Sequence, residues 1–581
     1  MQLKWSKIFP IIEALRHYDQ VDFKGDLSAG LTVGVMLIPQ GMAYAMLAGL
    51  PQIHGLYAAT IPLIIYAIFG TSRQLAVGPV AMISLLTTAG VAAIAQPGTS
   101  QYIQVAILMA LIVGGIQLML GVFRLGFLSN FLSHPIISGF TSAAALIIGL
   151  SQLKHLLGIN IPRTHHIHEL IQHLAEEVGH TNMYSLGLGL GGMLIILFAK
   201  KLHKAIPVQL VAVVFGIVAV RYLGLTDYGV KIVGDIPAGL PHLSAPVMEW
   251  DQIRQLLLFG GTISIIGFME SYSVARAIQT RHRNYEVNAN QELIALGLAN
   301  IGASFSQAYP VAGGFGRSAV NDRAGARTPV ASIISALLLM LILLFFTPLF
   351  YFLPNAILAA IIIVAVAGLV DWREALFLWK ANKTDFILFM ITFAGTLLLG
   401  IERGIAIGVV LSLVMVILRV TRPHVAELGK VPGTIHYRNV ERFPDLIQQE
   451  DTLIVRFDAQ LFFANAQYFK ERLFQLAEKK GDALRLIIIN AESMNQIDST
   501  GIHTIKEVVD AFRERGVDVV FAGVKGPVRD ALVRGGVVSK MGDEKFYMCV
   551  EDAVNCICRS ETPHPSEMQD FTSQTNVHPK Q

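Results

Sequence analysis

The sequence predicts an α-helical membrane protein that crosses the bilayer many times and ends in a small soluble α/β domain. Three observations carry this prediction: a low charge content, recurring apolar runs, and an abrupt change of composition after Pro423. The chain is 53% hydrophobic and 15% charged, and between Asp26 and Arg124 its only charged residue is Arg73. A soluble domain needs far more charged surface than this.

Long apolar runs account for most of the first part of the chain. They occupy residues 27–47, 56–69, 105–122, 136–150, 186–199, 208–220, 256–269, 333–346, 357–370, 386–399 and 405–417. Since a straight span needs ~20 apolar residues, the shorter runs must be tilted, broken or buried in protein, and we expect roughly twelve to fourteen crossings. Basic residues concentrate in short loops that fall on one side if both termini are cytoplasmic.

The residues after about Gly433 read as a soluble domain. Strand patterns occupy residues 452–459, 484–490 and 517–524, and helical patterns occupy residues 501–515 and 527–536. This alternation predicts a sheet covered by helices. We therefore divide the chain into a cytoplasmic segment (1–20), a transmembrane domain (21–422), a cytoplasmic domain (433–560) and a disordered tail (561–581).

Several classes of site and signal are not expected. The three cysteines, Cys549, Cys556 and Cys558, lie near the C-terminus, which argues against disulfide scaffolding, and they are too few to indicate a metal. Residues 4–24 are polar and mixed in charge, so we expect no cleaved signal peptide. The net charge of +3 gives no indication of nucleic-acid binding, and no cofactor is expected.

Two hydrophobic stretches are interrupted by small residues at matching places. One surrounds Gly78 and the other surrounds Gly316, 238 residues later, while Gln40 and Glu270 precede them with a similar offset of 230 residues. Such broken segments in two halves are typical of inverted-repeat transporters. A half-helix that begins within the membrane leaves backbone N–H groups unpaired at its positive end, and this end favours an anion.

Arg317 follows the glycines of the second broken segment. Gly313, Gly314 and Gly316 allow the backbone to turn and a ligand to approach it closely. We interpret Arg317 as the positive charge of an anion site. The alternative is a loop arginine that only orients the protein, which is the role we assign to Arg323 and Arg327.

Three polar residues inside apolar spans have both a functional and a structural explanation. A carboxylate such as Glu270 is costly within a membrane and is therefore functional by default. Burial would favour its neutral form and Arg317 its charged form, so it could exchange a proton. The alternatives are that Glu270 pairs with Arg276, that Gln40 bonds between helices, and that Tyr44 is a packing aromatic.

Four segments that stand in order along the chain carry a family resemblance. They read "PQGMAYAMLAGLPQIHGLY" (39–57), "LAVGPVA" (75–81), "GFMESYSVAR" (267–276) and "NIGASFSQAYPVAGGFGRSAVN" (300–321). They resemble the signature segments of the sulfate permease (SulP) family of anion transporters, and "NQIDSTGIHTI" (495–505) resembles part of its STAS domain. The resemblance implies fourteen membrane segments in two inverted seven-segment repeats, an elevator-like movement and a homodimer.

The resemblance also implies roles for individual residues. Gln40 and Tyr44 match residues that line the family's anion pocket. The matching half-helix tips are Val77, Gly78, Pro79 and Val80, and Gly316, Arg317 and Ser318. Proton-coupled members carry a glutamate at the position of Glu270.

This chain departs from the family pattern at two places. Residues 313–318 read GGFGRS where Gly-Ser-Phe-Ser-Arg-Ser is common, so two serines are glycines here and one hydroxyl that could contact the anion is missing. His54 replaces a usual tyrosine, and we place it in an external loop.

The STAS-like domain raises a regulatory possibility. Ser499 matches a serine that is phosphorylated in related bacterial regulators, although Asp498 and Ser499 also fit a plain helix start, which we favour.

The functional expectation is a secondary active transporter of a small inorganic anion, with sulfate first and protons as coupling ion, in a bacterial inner membrane. Bicarbonate or dicarboxylate transport coupled to sodium or protons, an exchanger or channel on the same fold, and a membrane sensor are the alternatives.

Overall fold

A computed structural model of the chain describes residues 8–16, 18–127, 134–161, 167–202, 208–282 and 285–559. The chain forms two compact units, Met1–Ser412 and Leu413–Gln581. The predicted disordered tail lies outside the described residues.

The chain before residue 422 consists mainly of helices, and the last of them crosses the boundary between the two units. In chain order they are α1 (Ile11–Leu15), α2 (Gln20–Leu47), α3 (Gln52–Tyr57), α4 (Ile61–Phe69), α5 (Ala81–Ala92), α6 (Ser100–Val122), α7 (His134–Leu157), α8 (Ile167–Glu177), α9 (Met183–Leu202), α10 (Val208–Leu223), α11 (Trp250–His282), α12 (Ala289–Phe305), α13 (Phe315–Arg323), α14 (Val330–Phe345), α15 (Asn355–Ala367), α16 (Trp372–Ala381), α17 (Lys383–Leu399) and α18 (Ile401–Thr421). Two short strands, β1 (Val77–Gly78) and β2 (Ala312–Gly313), precede α5 and α13.

Few of the described helices are long enough to cross a membrane by themselves. Six helical segments are both long and apolar enough, or seven if the sharply bent pair α8 and α9 counts as one span. Among the shorter apolar helices are α5, α10 and α14. This confirms that several runs are too short for a straight span.

The order of these elements can be divided into two matching sets of seven. The first set is α2, α3 with α4, β1 with α5, α6, α7, α9 and α10, and the second is α11, α12, β2 with α13, α14, α15, α17 and α18. In each set the third segment is a short strand followed by a half-helix. The predicted matching of two broken segments is therefore seen in the order of elements.

Helices α6 and α12 approach each other through facing glycines. A Cβ on Gly114 would lie 2.6 Å from the Ile301 nitrogen, and a Cβ on Gly297 would lie 2.6 Å from the Leu118 nitrogen. Any side chain at either position would collide with backbone. Small residues of this kind let membrane helices pack backbone against backbone.

The second unit is a six-stranded sheet with helices. Its strands are β3 (Val425–Lys430), β4 (Tyr437–Asn439), β5 (Thr452–Phe457), β6 (Leu486–Asn490), β7 (Asp518–Ala522) and β8 (Phe546–Tyr547). The helices are α19 (Ala466–Lys480), α20 (Ser499–Glu514), α21 (Gly526–Arg534), α22 (Val537–Met541) and α23 (Val550–Arg559). The order across the sheet is β4-β3-β5-β6-β7-β8, with β5 to β8 parallel.

The predicted strands and helices of this unit are confirmed, but the sheet starts earlier than expected. β3 begins at Val425 and pairs antiparallel with β5, upstream of the predicted start at residue 433. Buried and partly buried residues alternate imperfectly over the six residues of β3, so its pattern could not be distinguished from that of the preceding helix.

Candidate anion-binding site

The two broken segments meet through their short strands. β1 and β2 pair antiparallel, with Val77 opposite Gly313 and Gly78 opposite Ala312. α5 begins three residues after Gly78 and α13 two residues after Gly313, so the two helices start beside the same crossing point and lead away from it. Gly78 has φ of +157°, a conformation that side-chain-bearing residues rarely adopt.

Neither half-helix has a side-chain cap at its N-terminus. Val80 and Gly314 occupy the N-cap positions, and neither makes a capping hydrogen bond. Among the other helices, α2, α6, α12, α16 and α17 are capped by a Thr, Asn or Asp side chain, whereas α3, α4, α14 and α15 are not. What distinguishes the two half-helices is that both start beside the crossing of β1 and β2, and anion binding by their N–H groups stays a prediction.

Arg317 is buried at this crossing, with 3% of its surface exposed. Its guanidinium donates from Nε to the Ala76 carbonyl at 2.8 Å, from Nη2 to the Ala312 carbonyl at 2.9 Å, and from Nη1 to the Pro79 carbonyl. Three of its five N–H groups are thus bonded to backbone. Arg317 therefore lies buried at the crossing and joins the two repeats, and its role in anion binding stays a prediction.

Ser318 and Gly314 complete the junction around Ala76. The Ala76 N–H donates to Ser318 Oγ at 2.9 Å, while the Ala76 carbonyl also accepts from the Gly314 N–H at 3.2 Å. Ser318 therefore holds the first tip in place. A Cβ on Gly316 would meet nothing within 4 Å, so open space adjoins the second tip.

Glu270 and Tyr44 lie close to Arg317. Tyr44, Glu270 and Tyr309 all come near enough to Arg317 for electrostatic interaction. Glu270 is partly buried on α11, and among the described residues its carboxylate has no hydrogen-bond partner. It does not pair with Arg276, which instead donates to Gln279 at 3.0 Å. The role of Glu270 in proton exchange stays a prediction.

Gln40 and Tyr44 lie on one turn of α2. Both are buried, with 7% of their surface exposed. Within the described ranges neither side chain has a hydrogen-bond partner, so the expected alternative of an interhelical bond for Gln40 is not seen. Tyr44 belongs to the apolar core and also lies near Arg317 and Glu270. Its position therefore fits both a packing role and contact with a ligand.

The sequence interpretation missed the polar side chains that shape the second tip. Ser271, next to Glu270, accepts the Gly313 N–H at 2.7 Å. Asn300 is fully buried, accepts from the Val311 N–H at 2.8 Å and donates to the Val311 carbonyl at 3.1 Å. The sequence signal that could have identified Asn300 is an asparagine inside an otherwise apolar helix.

Two buried carboxylates were also missed. Glu292 accepts from the Tyr66 hydroxyl at 2.6 Å, from the Thr71 N–H at 2.7 Å and hydroxyl at 2.6 Å, and from the Ser72 N–H at 3.2 Å. It thereby fixes the linker that enters the first half-helix segment. A lone acidic residue in an apolar run, as for Glu270, was the signal that could have found it.

Asp26 plays the same part for the linker that leaves the second half-helix. It is fully buried and accepts from the Arg327 N–H at 2.8 Å, the Thr328 N–H at 3.0 Å and the Thr328 hydroxyl at 2.5 Å. Each carboxylate belongs to one repeat and holds a linker of the other.

The prediction for His54 was wrong. It lies in α3 with 8% of its surface exposed, and its Nδ1 contacts the Gln307 carbonyl at 2.7 Å. A buried polar ring needs such a partner, which an external loop would not require.

Ser499 is exposed as the first residue of α20, directly after Asp498, whose carboxylate caps the helix by accepting from the Gly501 N–H at 2.8 Å. The phosphorylation of Ser499 stays a prediction. Across the described ranges, no group of three or more His, Cys, Asp or Glu side chains could hold a metal.

The chain is similar to known proteins over nearly its whole length. Residues 23–392 match the sulfate permease family and residues 443–553 match the STAS domain. Sulfate transporter 4.1, chloroplastic, of Arabidopsis thaliana is 39% identical, with 94% of this chain and 82% of the relative covered. High affinity sulfate transporter 2 of Stylosanthes hamata is 36% identical, with 94% and 86% covered.

Solved structures show the same architecture. The murine Slc26a9 anion transporter in its inward-facing state is 26% identical, with a TM-score of 0.88 and 96% of this chain and 95% of that chain covered. The transmembrane domain of the cyanobacterial bicarbonate transporter BicA is 26% identical, with a TM-score of 0.59 and 68% and 98% covered. The predicted inverted-repeat fold with a C-terminal STAS domain is confirmed, and the protein is a multi-pass membrane transporter rather than an enzyme. The chain belongs to the sulfate permease family.

Proposed function

We propose that the protein is a secondary active transporter of sulfate, which it binds between the two half-helix N-termini. The observation that carries this proposal is the crossing of β1 and β2, which brings two uncapped helix starts and the buried Arg317 to one place. The sulfate transporters among its relatives support the choice of anion.

Each predicted site residue has a proposed part. The N–H groups at the starts of α5 and α13 bind the anion, and Val77, Gly78, Pro79 and Val80 shape the first start. Arg317 supplies the positive charge, while Ser318 and Gly316 form the second start. Gln40 and Tyr44, both buried on α2, complete the pocket from the side, and Tyr44 is near enough to Arg317 for electrostatic interaction.

We propose that Glu270 couples transport to protons. Its carboxylate is near Arg317 and has no hydrogen-bond partner among the described residues. When ionised it neutralises Arg317 and weakens the anion site, and when protonated it frees that charge. Proton and anion would then each raise the other's affinity, by roughly 5–150-fold for a typical coupling.

The proposal also covers movement, assembly and location. The half-helices and the helices that hold them move as an elevator against the rest of the membrane domain, residues 21–422, in a homodimer. Both termini and the STAS domain lie in the cytoplasm, and a bacterial inner membrane is the expected location. The STAS domain has a structural role, and Ser499 is its candidate regulatory position.

The test is uptake of radiolabelled sulfate into proteoliposomes that contain the full-length protein. A pH gradient that is acid outside should drive accumulation above the equilibrium level, and a sodium gradient alone should not. Bicarbonate, chloride, nitrate and a dicarboxylate serve as competitors. Accumulation of bicarbonate but not sulfate would favour the second candidate, which the likeness to BicA supports.

A further inference from the structure

The guanidinium of Arg317 lies directly against Gly314. A Cβ built on Gly314 would be 2.8 Å from Arg317 Cζ, 3.0 Å from Nη1 and 3.1 Å from Nε. Carbon atoms do not approach this closely without movement. Because the guanidinium is the end of a flexible side chain, it rather than the backbone would move.

Gly316, on the same turn, behaves differently. A Cβ there meets no atom within 4 Å, so a side chain could be added without displacing Arg317. Both positions commonly carry serine in the family pattern, yet only the glycine at 314 is required by the position of the arginine. The two departures from the pattern therefore have different physical consequences.

The guanidinium also has a definite task where it lies. It bonds to the carbonyls of Ala76, Pro79 and Ala312, which carry partial negative charges and lie within five residues of the helix starts in sequence. If it moved away, these buried carbonyls would lose the guanidinium as a donor, and the Ala76 carbonyl would keep the Gly314 N–H at 3.2 Å. Their field would then oppose an anion at the same place.

We propose that Gly314 is a positioning residue that keeps Arg317 on the backbone carbonyls, so that the arginine charge acts on the anion through the backbone. The consequence for anion affinity rests on the proposed function of the site. A side chain at 314, including the serine common in the family, displaces the guanidinium from these three carbonyls.

The first measurement does not depend on transport. Phenylglyoxal modifies accessible arginines, and peptide mass spectrometry of the full-length protein in vesicles follows the modification of Arg317. Gly314→Ala should increase the rate several-fold, whereas the matched variant Gly316→Ala should leave Arg317 as protected as in the wild type. Equal protection in Gly314→Ala and wild type would overturn the proposal.

The second measurement is the KM for sulfate uptake. Gly314→Ala should raise KM roughly tenfold, as expected when a charged group loses its hydrogen bonds, with a smaller change in kcat. Gly261→Ala, at another glycine with open space on α11, is the activity control. In an Arg317→Lys background the colliding guanidinium is absent, so adding Gly314→Ala should change KM by less than about twofold. An equal effect in both backgrounds would show that Gly314 acts through the backbone alone.

Folding and function can be separated in this design. If Gly314→Ala does not purify as a monodisperse protein, Arg317→Lys should restore it by removing the collision, and failure to restore it would contradict the proposal. If wild-type protein carries no sulfate but Arg317 labelling responds to Gly314→Ala as expected, the proposed substrate fails while the positioning role stands.

Discussion

The two half-helix tips share a backbone arrangement but not a chemistry. Each follows a two-residue strand and starts without a side-chain cap. The first tip, Val77 to Val80, carries no polar side chain, whereas the second carries Arg317 and Ser318. Both side chains bond to the backbone of Ala76, just before the first tip, and Arg317 also bonds to the Pro79 carbonyl within it. The repeats thus duplicate the dipoles, while one repeat supplies both the charge and the contacts that hold the pair together.

The largest effect should come from removing the charge of the second tip. Arg317→Ala deletes the charge and three hydrogen bonds, so sulfate uptake should fall by roughly 100-fold or more in kcat/KM. Arg317→Lys keeps the charge without the planar fork and should fall between Ala and wild type. Elution in size-exclusion chromatography checks folding. Near-normal affinity in Arg317→Ala would contradict the assignment of the site.

We expect the coupling of sulfate to protons to depend on the second repeat, because Glu270 on α11 interacts with Arg317 of the second tip. Glu270→Gln mimics the protonated side chain permanently. We expect it to exchange sulfate but not to accumulate sulfate in response to a pH gradient. Both activities are measured in the same vesicles, so the exchange activity is the internal control. Full pH-driven accumulation in the variant would place the proton elsewhere.

The first tip should depend on the absence of a side chain. A Cβ on Gly78 would make ordinary contacts, 3.6 Å from Arg317 Nη2 and 3.7 Å from Leu37 Cδ2, but a larger side chain would collide with these groups. Gly78→Leu should therefore lower uptake roughly tenfold or more, and Gly78→Ala much less. Full activity of Gly78→Leu would refute close approach of the anion to this tip.

Glu292 and Asp26, the two carboxylate clamps that hold the linkers, should contribute stability rather than selectivity. Glu292→Gln turns an amide donor toward groups that already donate, and we expect it to lower the free energy of unfolding by about 1–3 kcal/mol. Asp26→Asn, at the other linker, should lower the free energy of unfolding by a similar amount. Thermal unfolding in detergent measures the change, with the exposed Glu286→Gln as the matched control. An unchanged unfolding midpoint in both clamp variants would exclude the proposed role.

The smallest effect on the tips should come from the STAS domain. Truncation after Pro423 should reduce the amount of assembled protein, while the ratio of KM values among sulfate and its competitors changes by less than about twofold. The measurement is competition uptake normalised to reconstituted protein. A changed anion preference would show that the STAS domain takes part in selection.

Local patterns predicted the elements of this fold well. The strands β5 to β7 and the breaks at Gly78 and Gly316 follow from hydrophobic periodicity and small residues in apolar runs. Arg317 was found because an arginine beside glycines is unusual in a membrane segment. β3 was missed because six half-buried residues directly after a long helix give too weak a pattern.

Long-range polar partners could not be predicted. Glu292 lies more than 200 positions from Thr71 and Asp26 about 300 from Thr328, and nothing in the local sequence connects them. The direction of the Arg317 side chain was equally hidden, because its three acceptors are backbone carbonyls that any residue provides. His54 was misplaced for the same reason, since its partner is a carbonyl 253 residues away.

The pairing of β1 with β2 has a consequence for biosynthesis. Val77 cannot pair until the ribosome has added Gly313, 236 residues later. At 5–20 residues per second this delay is roughly 12–47 s. During this interval the peptide groups around Ala76 have neither their strand partner nor the side chains of Arg317 and Ser318. In hydrocarbon such groups are costly to leave unpaired, so water or the insertion machinery must shelter them. The first half of the chain, produced alone, should therefore insert its long helices but leave its half-helix unfinished until the second half is supplied.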